Sequence, residues 1–137
     1  MLCVVLLACL VCDCGPANDA ARYNFAVKNA FIMYTRRSPQ TETPPLEVER
    51  AIYEYGKEDF ANALVPALNT KYRVEAAYAL GWFGDRRHVR ELRELLSDSD
   101  AEVRRVSLDA VSRLVHMRFQ SAADAATWLS ENEKNLP

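Results

Sequence analysis

Arg73-Val74-Glu75-Ala76-Ala77-Tyr78-Ala79-Leu80-Gly81-Trp82-Phe83-Gly84-Asp85, followed six residues later by Leu92-Arg93-Glu94-Leu95-Leu96-Ser97-Asp98-Ser99-Asp100-Ala101-Glu102-Val103-Arg104, is the stretch that decides the fold. Both segments read as helix, with helix-ending and helix-starting signals between them. Gly84, like Gly56, follows a helical stretch, where a glycine takes the left-handed conformation without a Cβ penalty. Asp85 and Asp100 stand just before helices as N-caps, and Asn69 or Thr70 can serve the same role. Extending these signals from Leu46 onward predicts six helices in three pairs: 46–55 with 58–68, 71–83 with 86–97, and 101–117 with 122–133. No strand pattern of comparable strength occurs, so the expected class is all-α.

The chain is also similar to itself. Gly56 to Leu64 realigns on Gly84 to Leu92 with an offset of 28, continuing through Ala67-Leu68 onto Leu95-Leu96. Tyr72-Arg73 realigns on Val103-Arg104 with an offset of 31, followed by Ala79-Leu80 on Ala110-Val111 and Phe83 on Leu114. A period of about 30 carrying two helices per unit is the signature of an α-solenoid, in which stacked pairs bury faces that no pair can bury alone. The small residues Ala76, Ala77, Ala79 and Gly81 allow neighbouring helices to approach closely.

The two quoted segments closely resemble the short HEAT-like repeat first described in phycobilisome lyases, whose pattern runs VR..AA.ALG..GD and then L..LL.D.D..VR..A. The likeness is good over 56–115 and weak over 46–56. The resemblance implies a short α-solenoid of about three antiparallel helix pairs. Its repeat-structural set is Arg73, Gly81, Gly84, Asp85, Asp98, Asp100 and Arg104. In the family, such an arginine bonds an acidic or polar residue of the preceding inter-repeat turn, and Asp98 or Asp100 is the implied partner here. Val106, Ser107 and Leu108 replace the Ala-Ala core, which marks the last unit as a variant or capping repeat. Residues 122–134 are expected to close the stack, with Ala126 and Leu129 inward and Trp128 beside them. By fold analogy the implied function is non-catalytic protein–protein interaction or scaffolding, through an unidentified protein partner and as a monomer. Because the repeat also occurs in bilin lyases, a lyase-related or chromophore-handling subunit is the alternative, and a fragment of a longer repeat protein is a third reading.

Towards the N-terminus, residues 15–37 read as a helix with Asp19 as N-cap, Arg36-Arg37 at its C-terminal end, and Tyr23, Val27, Ala30 and Tyr34 as an apolar stripe. Residues 38–45 (SPQTETPP) contain three prolines and read as a linker, leaving 46–137 as the repeat domain. Residues 1–14 form an apolar leader, uncharged until Asp13. Its apolar run is too short for a bilayer-spanning helix, which needs ~20 residues, and has the length of a signal-peptide core. All four cysteines (Cys3, Cys9, Cys12, Cys14) lie within it, so no disulfide framework holds the globular part. Leu6-Leu7-Ala8-Cys9 resembles the lipobox of bacterial lipoproteins and makes Cys9 the lipidation candidate. The expected location is the cell envelope or outside the cell, with attachment through residues 1–14; a cytoplasmic protein is the alternative.

For chemistry, 137 residues bound a single domain, and 17 Lys+Arg against 19 Asp+Glu lack the cationic surplus of a nucleic-acid binder. His88 and His116 have no partners at metal-ligand spacing, so neither a metal nor a cofactor is expected, and no nucleophile or phosphate-loop motif occurs. The carboxylate clusters read as helix N-terminal charges and turn caps, and the protein is expected not to be an enzyme. Arg86, Arg90 and Arg93 fall at i, i+4 and i+7, with Arg104 and Arg105 opening the next unit; together they form a candidate strip for an acidic partner. The competing reading ties these side chains into Arg87–Glu91 and Arg90–Glu94 pairs. The aromatics Tyr53, Tyr55, Tyr72, Tyr78, Trp82 and Phe83 are expected in the core.

The leader is tested by expressing the chain from Met1 in a bacterial host and weighing the intact protein after fractionation. Lipidation predicts a membrane-bound mass equal to residues 9–137 plus acyl groups. A soluble full-length mass in the cytosol would overturn the export reading.

Overall fold

The computed structural model describes residues 16–38, 40 and 43–137, with side chains from Asp19 onward. The apolar leader, its cysteines and the lipidation candidate Cys9 lie outside the described residues. Among the described residues all regular structure is helical: α1 (Pro16–Thr35), α2 (Leu46–Tyr55), α3 (Lys57–Leu64), α4 (Arg73–Phe83), α5 (Val89–Leu92), α6 (Ala101–Val115) and α7 (Ala122–Asn132). Short 3-10 turns extend or flank several of them. None of these helices is long and apolar enough to cross a membrane.

α4 is the centre of the fold. It packs against α1 on one side and α6 on the other, with α3 and the 3-10 turn Val65–Asn69 also against it. Its run Ala76, Ala77, Tyr78, Ala79, Leu80 and Gly81 is buried without a break. At Gly81 the approach of α6 is so close that a Cβ would lie 2.8 Å from Ala110 Cα. Phe60, Leu64, Leu80, Leu92, Val103 and Leu129 are among the fully buried side chains, each contributing about 1.5–3 kcal/mol of hydrophobic stabilisation.

α1 belongs to this same core. Ala26, Ala30 and Met33, at i, i+4 and i+7, are fully buried, so the Pro-rich stretch 38–45 joins two parts of one core. The expected stripe is thereby corrected: Tyr23, Val27 and Tyr34 are only half-buried beside it. Asp19 lies inside the first turn of a helix beginning at Pro16, so it is not the N-cap. Rings link α1 to its neighbours: Phe25 stacks on Tyr55 at 4.2 Å and meets Phe60 edge-on, and Phe60 meets Phe83 at 5.7 Å. Of the aromatics expected in the core, Phe83 and Tyr78 are buried, whereas Tyr53 is 63% exposed.

The second helices of the first two pairs depart from the expected regular form. Residues 86–97 divide into a 3-10 turn Arg86–His88, α5 and a 3-10 turn Glu94–Ser97. Val89, Leu92, Leu95 and Leu96 are all buried, the first two in the α-helical turn and the last two in the 3-10 turn that follows it. Residues 65–69 are likewise 3-10, where Pro66 lacks the N–H that an α-turn would use. Gly56 (φ 117°) does take positive φ, ending α2 and starting α3 in a single residue.

Gly84 does not take the expected left-handed form. Its φ is −74°, and its N–H donates to Leu80 O at 2.7 Å. The glycine is needed there because a Cβ would fall 2.5 Å from that carbonyl. The left-handed residue at a helix end is His116 (φ 56°), after α6. At the C-terminus, Ala125 and Leu129 point inward, while Ala126 and Trp128 are half-buried.

Gly81→Ala should destabilise the protein by about 1–3 kcal/mol despite alanine's better helix propensity, because α6 must move away from α4. Denaturant unfolding with equal slopes for both variants measures this, and an unchanged midpoint would show that the contact is soft.

Candidate functional site

The turn between the second and third pairs gathers both repeat arginines. Arg73 Nε donates to Asp98 Oδ2 at 2.9 Å and its Nη2 to Oδ1 at 3.4 Å. Asp98 Oδ1 also accepts the Asp100 N–H at 2.8 Å. Arg104 Nη1 reaches back to the carbonyls of Asp98 and Ser99 at 2.7 and 2.9 Å. Asp98 is therefore the partner of Arg73, but in the turn that follows its own pair. Asp100 caps α6 by accepting from Glu102 N at 2.8 Å, and Asp85 caps its turn by accepting from Arg87 N at 2.8 Å. His88 is buried and completes that cap: Asp85 N–H donates to its Nδ1 at 3.1 Å, leaving Nε2 to face Asn62 Oδ1 at 3.3 Å.

The expected arginine strip is not assembled. Arg90 Nη2 donates to the carbonyls of Glu133 and Leu136, each at 3.1 Å, and Arg93 lies 3.4 Å from the Glu133 carboxylate. These two side chains fasten the end of α7 to α5, where short 3-10 turns bring the chain past them. Arg104 is spent in the turn, and Arg105 is paired with Glu102 at 2.8 Å and Asp109 at 3.1 Å. Arg86 alone among the five makes neither an ion pair nor a side-chain hydrogen bond with the described residues, and it is exposed. The Arg87–Glu91 and Arg90–Glu94 pairs do not form either, for Arg87 grips Asp85 and reaches Glu58 at 2.9 Å.

What the fold does assemble lies across the C-terminal ends of α4 and α6. Two clefts of about 510 and 640 Å³ adjoin there, and Arg113 and His116 line both. The first is bordered by Lys57, Trp82 and Arg86, the second by Met117, Arg118 and Phe119. Lys57, Arg86, Arg113 and Arg118 are all exposed and form no ion pair among the described residues. The Arg113 guanidinium lies over the Trp82 ring, 4.1 Å from its centre. The carboxylates lining the groove, Asp85 and Asp109, already hold Arg87 and Arg105. Sequence reasoning found only Arg86 of this set. No spacing marks the others, because they come from the start of α3, the end of α6 and the loop beyond it.

Elsewhere the electrostatics serve the fold. The Arg87 hydrogen bonds lower the Asp85 pKa to about 2, and those from Arg105, helped by the Tyr34 hydroxyl, bring Glu102 to about 2. Burial and the Glu102 hydrogen bond raise the Tyr34 phenol. Among the described residues no group of three or more His, Cys, Asp or Glu side chains is arranged to hold a metal ion.

In comparisons with known proteins, a family model described as HEAT repeats matches residues 50–133, more than half of the chain. No curated protein and no solved structure matches it.

Asp98 is also held below the usual carboxylate range, by the Asp100 N–H and then by Arg73, and the three depressed carboxylates set the acid response. Because their folded pKa values lie below the ordinary 3.8 and 4.5, the stability they contribute is complete above about pH 5 and is lost as pH falls towards 2. The melting midpoint should drop over that window, and Glu102→Gln should flatten the drop. A midpoint unchanged from pH 5 to 2 would contradict this assignment.

Proposed function

This chain belongs to the HEAT-repeat family, and on that premise we propose that it is a non-catalytic protein-binding module, its helix pairs stacked as a short α-solenoid that acts as a monomer. HEAT repeats commonly mediate protein–protein interaction. One observation carries the reading in this molecule. Arg73, Arg87, Arg90, Arg93, Arg104 and Arg105 are each engaged within the fold, whereas four exposed cations along the double cleft form no ion pair among the described residues. Like charges repel, so such a grouping costs the free protein energy that a bound partner can return. Met117, 40% exposed in the same groove, adds an apolar contact point. The leader adds a location: residues 1–14 direct export, with attachment to the envelope through Cys9 as the form its lipobox-like context supports.

A photo-reactive phenylalanine analogue placed at Met117, and separately at Tyr53, tests the binding face in the organism that makes the protein. Specific adducts from position 117 are expected. Adducts arising only from Tyr53, which is exposed on α2, would overturn the groove as the docking face.

A further inference from the structure

We infer that the groove at the C-terminal ends of α4 and α6 takes an extended acidic segment of a partner protein, an inference that rests on the protein-binding reading above. The first ground is local charge. The whole chain carries a formal charge of −2, yet Lys57, Arg86, Arg113 and Arg118 gather along two adjoining clefts whose own carboxylates are already paired. The helix ends do not cancel this. Each contributes about half a negative charge, and Arg87 and Arg105 are each shared by two carboxylates, so the four cations leave the groove positive by about one charge. A cationic groove on an anionic protein steers an acidic segment to one place and repels it elsewhere.

The second ground is shape. A single anion would occupy one cleft, but two clefts joined at Arg113 and His116 offer cations at both ends of a continuous path. Carboxylates of an extended chain reach Lys57 and Arg86 at one end and Arg118 at the other. Apolar side chains between them settle against the hydrophobic lining provided by Leu114, Met117 and Phe119. The groove is less suited to nucleic acid. Binding of single strands relies on aromatic faces open to stacking, and Arg113 lies over the Trp82 ring. A duplex would also bring its dense charge against an overall anionic protein.

The test uses the full chain and fluorescence anisotropy with three labelled probes: a peptide of Glu-Glu-Leu repeats, its Gln-Gln-Leu counterpart, and an oligothymidylate. The acidic peptide should bind, about tenfold or more tighter than the Gln peptide, and weaken severalfold as salt rises from about 50 to about 300 mM. Arg86→Glu with Arg118→Glu should weaken binding about tenfold or more. Lys28→Glu with Arg50→Glu, an equal change of charge at exposed sites on α1 and α2, should leave it within about twofold. All four positions are exposed, and circular dichroism verifies that both variants keep their helices. Equal binding of the Gln peptide, equal loss in the control variant, or tighter binding of the oligothymidylate would each overturn the inference. If the acidic peptide fails while position 117 still yields adducts, only the acidic specificity falls; if both fail, the protein-binding reading falls with it.

Discussion

The separation of α4 and α6 at Gly81 governs the rest of the molecule. With Ala110 where a Cβ of residue 81 would have to sit, the two helix backbones meet at the distance that only hydrogen and methyl groups permit. That approach lets α4 be buried along six consecutive residues, which a helix achieves only when it is covered on more than one side. α1 and α3 supply the remaining cover, joined by rings from Phe25, Tyr55 and Phe60. A larger residue at 81 would separate α6 from α4, and the groove at their ends would change with it.

A polar staple holds the same two helices in register. Arg73 opens α4 and Arg104 lies in the first turn of α6, and both converge on the turn from Asp98 to Asp100, one through a carboxylate and the other through carbonyls. The two equivalent positions make different bonds: Arg73 meets the Asp98 carboxylate in the turn after its own pair, whereas Arg104 turns back to the carbonyls of the turn before its own helix. Ser107 is buried at the centre of α6 with no hydrogen-bond partner for its hydroxyl, in place of the alanine of the repeat pattern.

Most arginines are therefore used for the architecture itself: Arg37 donates to the Tyr34 carbonyl at the end of α1, Arg90 and Arg93 hold the C-terminal tail, and Arg105 balances Glu102 and Asp109. Against that background the groove is distinct. Arg113 and Arg118 lie at and beyond the end of α6, where the helix dipole favours positive charge, whereas Lys57 opens α3 and Arg86 opens the 3-10 turn after α4. The same placement leaves them pointing to solvent with their hydrogen-bonding capacity open to a partner.

Read alone, the sequence determined that the chain is helical, that its units repeat at about 30 residues, and where most helices begin and end. Those features are written in short-range signals: glycine and aspartate at turns, apolar residues at helical spacing, and the recurrence of Arg73 at Arg104. Where local pattern misled, a neighbour was the cause. The stripe on α1 centres on Ala26, Ala30 and Met33 because α4 and α3 reach that face, and Gly84 is glycine because of the Leu80 carbonyl rather than a left-handed turn. The fate of the arginines was the least legible part. A long flexible side chain on a helix surface has several partners within reach, and only the packing of α7 against the 3-10 turn Glu94–Ser97, or of α4 against α6, selects among them. Tertiary structure thus decided which cations were consumed and which were left together, since Lys57, Arg86, Arg113 and Arg118 become neighbours only when the ends of two helices are brought side by side.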